Sequence, residues 1–307
     1  MIDVFDEVIE LPDLNKKRQF DELIGLDHVK ERLIKEGLLL LKPSLLEEWS
    51  KKHHSRVLPV VTKFQERPPL IIFSGDVGTG KTTLADSFGD SIARTHHISV
   101  RVAKLSLKTR GSGAVGEMTR LVSKAFEEIE KLASQNSGCP SSTAILVIDE
   151  ADALAQSREF EQMHHEDRAG VNALIRGVDR LTAKRLPVLV VMCTNRASAI
   201  DPAVMRRAAV QFHFERPNQE QRAQVLKAAF DGVFNKEEIN RLAEATGPKK
   251  DKGFGFTYSD LTQKLIPSIV LRAYPDQPVT LSLATSVLET IQPTKPFSED
   301  NVCANGV

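Results

Sequence analysis

The run GDVGTGKT, Gly75 to Thr82, follows the apolar stretch LIIFS and leads into a helical pattern, LADSFGDSIA. It fits the phosphate-binding pattern GxxxxGK[ST], which works only where a buried strand ends and a helix begins. Gly75, Gly78 and Gly80 let the backbone curl so that its N–H groups point inward at phosphate oxygens. Lys81 is placed to neutralise the β/γ charge, and Thr82 to offer its hydroxyl to Mg²⁺. Asp76, Val77, Thr79 and Thr83 complete the loop and the helix entry. Such a motif commits the chain to an α/β fold with a sheet behind it.

The sequence around the motif agrees. Short apolar runs alternate with longer amphipathic stretches, and strands are expected at Leu70–Ser74, Ser99–Leu105, Ala144–Asp149, Val188–Thr194 and Val210–Phe214. Between them, Leu121, Val122, Ala125, Phe126, Ile129 and Leu132 recur at helical spacing and mark a crossover helix. After Arg216-Pro217-Asn218 the pattern becomes helical throughout, with Asn218 as a cap and Gly247 as a stop. The expected architecture is a parallel five-stranded sheet with helices on both faces, followed by a small all-helical lid domain. The divisions are a tail at 1–19, an α/β nucleotide-binding domain at 20–216, a helical domain at 217–293 and a disordered tail at 294–307.

Two further strands end in chemistry. AILVIDEADAL carries Asp149 and Glu150 at the end of a fully apolar run. Asp149 there suits the Mg²⁺ shell, and Glu150 suits orienting and deprotonating a water. VLVVMCTNR presents Asn195, which can hold the attacking water or sense a γ-phosphate, and DPAVMRR then supplies Arg206 and Arg207. Two adjacent cations at a helix end are a solvated feature as readily as a functional one. Beside the phosphate loop and the Asp-Glu pair, an arginine serving the transition state becomes the better reading.

Composition narrows the partners. Lys+Arg and Asp+Glu are each 41 in 307 residues, so no net field recommends nucleic acid or an anionic membrane. No basic leader or bilayer-length apolar run is found, and a cytoplasmic location is expected. Cys139, Cys193 and Cys303 are widely spaced, which suggests reduced thiols. The adjacent His pairs at 53–54, 96–97 and 164–165 lack ligand spacing, and Trp49 reads as a packed helix residue.

Together these segments resemble the AAA+ ATPases over roughly residues 20 to 290, on FDELIGLDHVKERLIKEGLLL, TNRASAIDPAVMRR and GFTYSDLTQKL beside the two nucleotide motifs. The resemblance implies ATP as the nucleotide, adenine near Ile24 and Gly25, a hexameric ring, and a neighbour's arginine completing each site. Within that superfamily, SLKTRGSGAVGEMTRLVSKAFEEIEKL, RAGVNALIRGVDRL and the KLIP ending at Pro267 resemble the pachytene-checkpoint and thyroid-receptor-interactor ATPases, which remodel HORMA-domain proteins. Only a short segment precedes Phe20, so the chain is similar to the short bacterial members found in cyclic-oligonucleotide antiphage systems. Where many members carry an aromatic, an aliphatic and Gly in the central pore loop, this chain has Ala114-Val115-Gly116, and Gly111–Glu117 is the candidate pore segment. Arginines three apart would fall on Arg206 and Ala209, which leaves Arg206 and Arg207 both as candidates. The expected function is an ATP-driven remodeller of a protein partner, against the alternatives of a nucleic-acid loader, an ATP-regulated scaffold or a small-molecule phosphoryl transferase.

Overall fold

The computed structural model describes residues 4–107, 117–134, 142–153, 165–248 and 253–296. The chain divides into two compact units. One comprises Met1–Glu22, Asp27–Ser74 and Thr82–His213, and the other Leu23–Leu26, Gly75–Lys81 and Phe214–Val307.

The first unit is built on strands β1 (Glu7–Leu11), β2 (Leu70–Gly75), β3 (Ser99–Ser106), β4 (Ser142–Asp149), β5 (Val188–Thr194) and β6 (Val210–Phe214). They form one six-stranded sheet in the order β1-β3-β4-β5-β2-β6. Its helices are α1 (Leu14–Asp21), α2 (Asp27–Leu41), α3 (Ser44–His54), α4 (Pro59–Gln65), α5 (Lys81–His96), α6 (Glu117–Ser134), α7 (His165–Lys184) and the short α8 (Pro202–Met205). Pairs β3·β4, β4·β5 and β2·β5 are parallel. Strands β2 and β5 are buried along their whole lengths, as crossover helices on both faces require. Alternation decides which side chain goes where. Leu70, Ile72, Leu146, Ile148, Val190 and Met192 join Val122, Phe126 and Ile129 of α6 in one core. On the other face Gly37 of α2 meets Phe88 and Ile92 of α5 and Leu189 of β5.

All five expected strands are present, but the sheet has a sixth. Strand β1 pairs antiparallel to β3, with Glu7 opposite Lys104 and Glu10 opposite Arg101. Arg101 Nε donates to Glu10 Oε1 at 3.1 Å. Ahead of the strand, Val4 and Phe5 are buried in the α6-side core. Residues expected as an N-terminal tail therefore supply a strand and most of a helix. EVIEL is short and acidic, and its strand character comes from a basic partner strand far along the chain. A second departure concerns Trp49, which is 45% exposed rather than packed inside, with its ring against His53 and His54. The residue of α3 that faces inward is Ser50.

The second unit carries α9 (Gln219–Ala229), α10 (Lys236–Ala245), a π-turn (Asp260–Leu265), α11 (Ile266–Ala273) and α12 (Leu281–Thr290). Asn218 and Asn235 each close a reciprocal capping box, with Gln221 and Glu238 respectively. The π-turn stands just ahead of Pro267, whose missing N–H and ring would break a regular α-turn there. Leu226, Leu242, Leu261, Leu265, Ile269 and Ala284 form the core of this unit. Helix α12, which the sequence reading did not separate, follows Pro278 and is capped by Thr280.

Packing between α6 and α7 sets a testable limit. A Cβ added at Gly177 would lie 2.5 Å from the Phe126 ring, closer than atoms can approach. Gly177→Ala is expected to lower stability by about 1–3 kcal/mol, the scale of overpacking a filled core. Thermal unfolding checks this, and Phe126→Leu in the same chain should recover part of the loss.

Candidate active site

The phosphate-loop motif runs across the boundary of the two units, with Gly75–Lys81 in the second and Thr82 in the first. In the second unit the loop is shaped by its own acceptors. Lys81 is 6% exposed, and its Nζ donates to the carbonyls of Gly75 at 2.9 Å and Asp76 at 2.6 Å. Thr79 Oγ1 donates to the Asp76 carbonyl at 2.7 Å, and the Val77 N–H donates to Asp76 Oδ1 at 2.8 Å. Two glycines are obligatory. Gly75 has φ +142°, and a Cβ there would sit 2.0 Å from the Phe214 carbonyl oxygen. Gly78 has φ +72°, with Thr257 Oγ1 2.8 Å from the place of a Cβ. Helix α5 starts at Lys81, so the first-turn N–H groups and the positive end of the helix dipole lie at the loop, while Thr83 is exposed.

Ile24 and Gly25 belong to the same unit. Gly25 accepts from Gln221 Nε2 at 2.7 Å, and a Cβ at Gly25 would lie 2.9 Å from Tyr258 Oη. Ile24 packs on the helical core. Ser259 donates its N–H to the Gly78 carbonyl at 3.1 Å. The structure thus gathers the expected base-side segment, the phosphate loop and the entry of the π-turn in one unit.

In the first unit, Thr82, Asp149 and Glu150 come together. Asp149 Oδ1 accepts from Thr82 Oγ1 at 3.2 Å and from the Glu150 N–H at 2.9 Å. Glu150 has φ +53°, the left-handed region that a glutamate rarely takes. Such conformations cost on the order of 1–3 kcal/mol and cluster where a side chain must be aimed. One hydroxyl and one carboxylate are hard oxygen donors of the kind that holds Mg²⁺ alongside phosphate oxygens and water, so these residues fit that ion. Asn195 is half-buried just past β5, in a turn tied by the Arg196 N–H to Thr194 Oγ1 at 3.0 Å. Register places Thr194 beside Ser74, so β2 and β5 end together.

The two arginines differ. Arg206 is exposed, with Nε on the Pro202 carbonyl at 3.2 Å. Arg207 makes a fork to Asp179 of α7, with Nε at 2.8 Å from Oδ1 and Nη2 at 3.0 Å from Oδ2, and donates to the Ala203 carbonyl at 2.9 Å. The candidate pore residues Ala114-Val115-Gly116 lie outside the described residues.

Sequence reasoning missed a charged pair behind Asp149. Lys104 of β3 donates to Asp86 Oδ2 of α5 at 2.8 Å, and its Nζ lies 3.9 Å from Asp149 Oδ2. Burial raises the Asp86 carboxyl above the ordinary range, more than the Lys104 bond lowers it. Burial also pulls the Lys104 ammonium down, but the bond to Asp86 and the charges of Asp86 and Asp149 outweigh it and hold it high. A lysine inside an apolar strand was the signal available.

A sheet of this order with a phosphate loop at one strand end and an Asp-Glu pair at another defines a P-loop nucleoside triphosphatase. The model of the "ATPase family associated with various cellular activities (AAA)" matches residues 71–217. CD-NTase-associated protein 6 of Escherichia coli (strain MS 115-1) is 48% identical over 300 residues, covering 96% of each chain. A chain of the E. coli MS115-1 HORMA:CdnC:Trip13 complex superposes with a TM-score of 0.90 at 47% identity, over 97% of this chain and 99% of the other. Trip13 of Rhizobiales superposes with a TM-score of 0.75 at 40% identity, over 95% and 100%. The chain therefore belongs to the AAA ATPases, in the group of CD-NTase-associated protein 6. Among the described residues no helix is long and apolar enough to cross a membrane, and no three His, Cys, Asp or Glu cluster as a metal site.

The Lys104–Asp86 pair yields a prediction. Lys104→Met leaves a buried carboxylate without its cation and is expected to cost on the order of 2 kcal/mol or more. Melting measurements should show the double variant Lys104→Met/Asp86→Asn closer to wild type than the single one.

Proposed function

We propose that this chain is the ATP-hydrolysing subunit of a ring, hexameric as the family resemblance implies, that remodels a HORMA-domain protein in bacterial antiphage signalling. The observation that carries this reading is a near end-to-end likeness to a chain of a HORMA-containing complex, in a molecule whose Asp149-Glu150 pair stands at a strand end with Thr82 on it. A cytoplasmic setting goes with the reading. Residues 20–216 act as the nucleotide-binding domain and 217–293 as the lid.

Loop N–H groups and Lys81 bind the β- and γ-phosphates of ATP, with adenine near Ile24 and Gly25. Thr82 and Asp149 hold Mg²⁺, which when bound neutralises developing charge on the phosphates. Asn195 orients a water, and Glu150 takes its proton as the oxygen attacks the γ-phosphorus. Arg206, exposed at the end of α8, reaches the site of a neighbouring subunit, and Arg207 joins it on leaving Asp179. The grip on the client falls to residues 111–117. The neutral charge balance favours a protein client over a nucleic acid.

Glu150→Gln should bind ATP with unchanged affinity and lose hydrolysis by about a hundredfold or more, the scale of a positioned base. The same variant, loaded with ATP, should retain a HORMA-domain protein in pull-downs. Equal hydrolysis by Glu150→Gln and wild type removes the glutamate from its role, and retention of nucleic acid instead of protein overturns the choice of client.

Assembly supplies a further test. Arg206→Ala/Arg207→Ala should lose roughly a thousandfold in hydrolysis, at the low end for an arginine acting in trans. Mixing it with Lys81→Ala should restore part of the rate, because each variant brings the half-site the other lacks. No recovery at any ratio, with both variants assembled, contradicts a shared site.

A further inference from the structure

Arg216, between β6 and α9, lies in none of the motifs above, yet it joins the phosphate loop to the C-terminal segment. Its Nε and Nη2 lie 2.7 and 2.6 Å from Asp76 Oδ2. Nη1 donates to the Gly255 carbonyl at 2.6 Å and Nη2 to the Thr294 carbonyl at 2.8 Å. The guanidinium also lies over the Phe254 ring, 4.9 Å from its centroid. A planar cation engaged on so many sides has one position open to it.

Thr294, expected in a disordered tail, is instead bonded through every polar group it has. Its N–H donates to Asp260 Oδ2 at 3.0 Å, and its hydroxyl donates to Asp260 Oδ1 at 2.6 Å while accepting from Lys264 Nζ at 2.7 Å. Asp260 is fully buried and also accepts from the Thr257 N–H at 3.1 Å and Lys264 at 2.6 Å. Burial alone would raise this carboxyl, but Lys264, the Thr294 hydroxyl and N–H and the Thr257 N–H hold it far below the usual range. Ser259, next to Asp260, bonds the Gly78 carbonyl. The loop is therefore held at two points. Asp76 is fixed by Arg216 and Gly78 by the π-turn, and both supports are tied to Thr294.

We propose that the C-terminal segment at Thr294 is a positioning element of the nucleotide site: through Arg216 and Asp260 it sets the shape of the phosphate loop. The link to Lys81 is short, because the residue that Arg216 fixes through its side chain offers Lys81 its carbonyl. Freed from Arg216, Asp76 can turn its peptide, and the oxygens that pre-set the Lys81 ammonium move with it. Anything that draws Thr294 away then lowers nucleotide affinity without touching a residue that contacts nucleotide. The inference rests on the reading that this loop binds ATP.

The test is the dissociation constant of a fluorescent ADP analogue, measured beside the melting temperature. Wild-type binding checks the underlying reading on its own. Arg216→Lys keeps the charge but loses the fork, and should weaken binding roughly tenfold, the scale of one charge-assisted hydrogen bond. Thr294→Val should weaken it in the same direction by a smaller factor, and Thr294→Ser, which restores the hydroxyl, should return it to the wild-type value. Leu288→Ala loosens the same helical core without touching the network, and serves as a control for lid stability. Wild-type affinity in Arg216→Lys and Thr294→Val overturns the proposal. So does a Leu288→Ala variant that loses as much affinity for the same drop in melting temperature, since the effect would then be lid stability alone.

Discussion

An ammonium group buried to the extent of Lys81 must be surrounded by oxygen, and here the oxygens come from the loop that carries it. That requirement bends the backbone of Gly75 and Asp76 inward, which in turn demands glycine at 75 and 78, where neighbouring atoms leave no room for a side chain. It also makes Asp76 a junction, with its backbone carbonyl serving Lys81 and Thr79 and its carboxylate serving Val77 and Arg216. Phosphate oxygens entering the loop would meet a cation already in place and take over part of its bonding. The organisation cost is met in folding rather than in binding.

Positive charge is distributed with evident division of labour. Lys81 belongs to the loop, Lys104 to the ground behind Asp149, Arg216 to the loop's support and Arg207 to a fork with Asp179. Arg206 is the exposed member of the pair at the end of α8. Arginine thus serves structure where an aspartate holds it, as at Arg207 and Arg216, while Arg206 is offered outward.

The motifs legible in the sequence are those whose chemistry is local. GDVGTGKT is read because strand, turn and helix must be contiguous for backbone N–H groups to converge, and β2, β4 and β5 are read because burial on both faces leaves unbroken apolar runs, while β6 at the sheet edge is read from its alternation. The rest depended on partners distant in the chain. Strand β1 takes its identity from Lys104 and Arg101, nearly a hundred residues on, and an acidic EVIEL carries no sign of them. Thr294 sits in a stretch whose composition suggests disorder, and its order comes from a buried aspartate in a different helix. Lys104 and Asp86 come together only when β3 is laid beside α5. Arg207 differs from Arg206 by its fork to Asp179, which no spacing rule connects to either arginine.

In the proposed function, ATP hydrolysis belongs to an assembly and is directed at a protein client. The most direct measurement is the hydrolysis rate per subunit over a wide range of protein concentration, with and without a HORMA-domain protein. A shared site predicts a rate per subunit that rises steeply as rings form and rises further when the client is added. A rate per subunit that stays constant across concentration and ignores the client would contradict it.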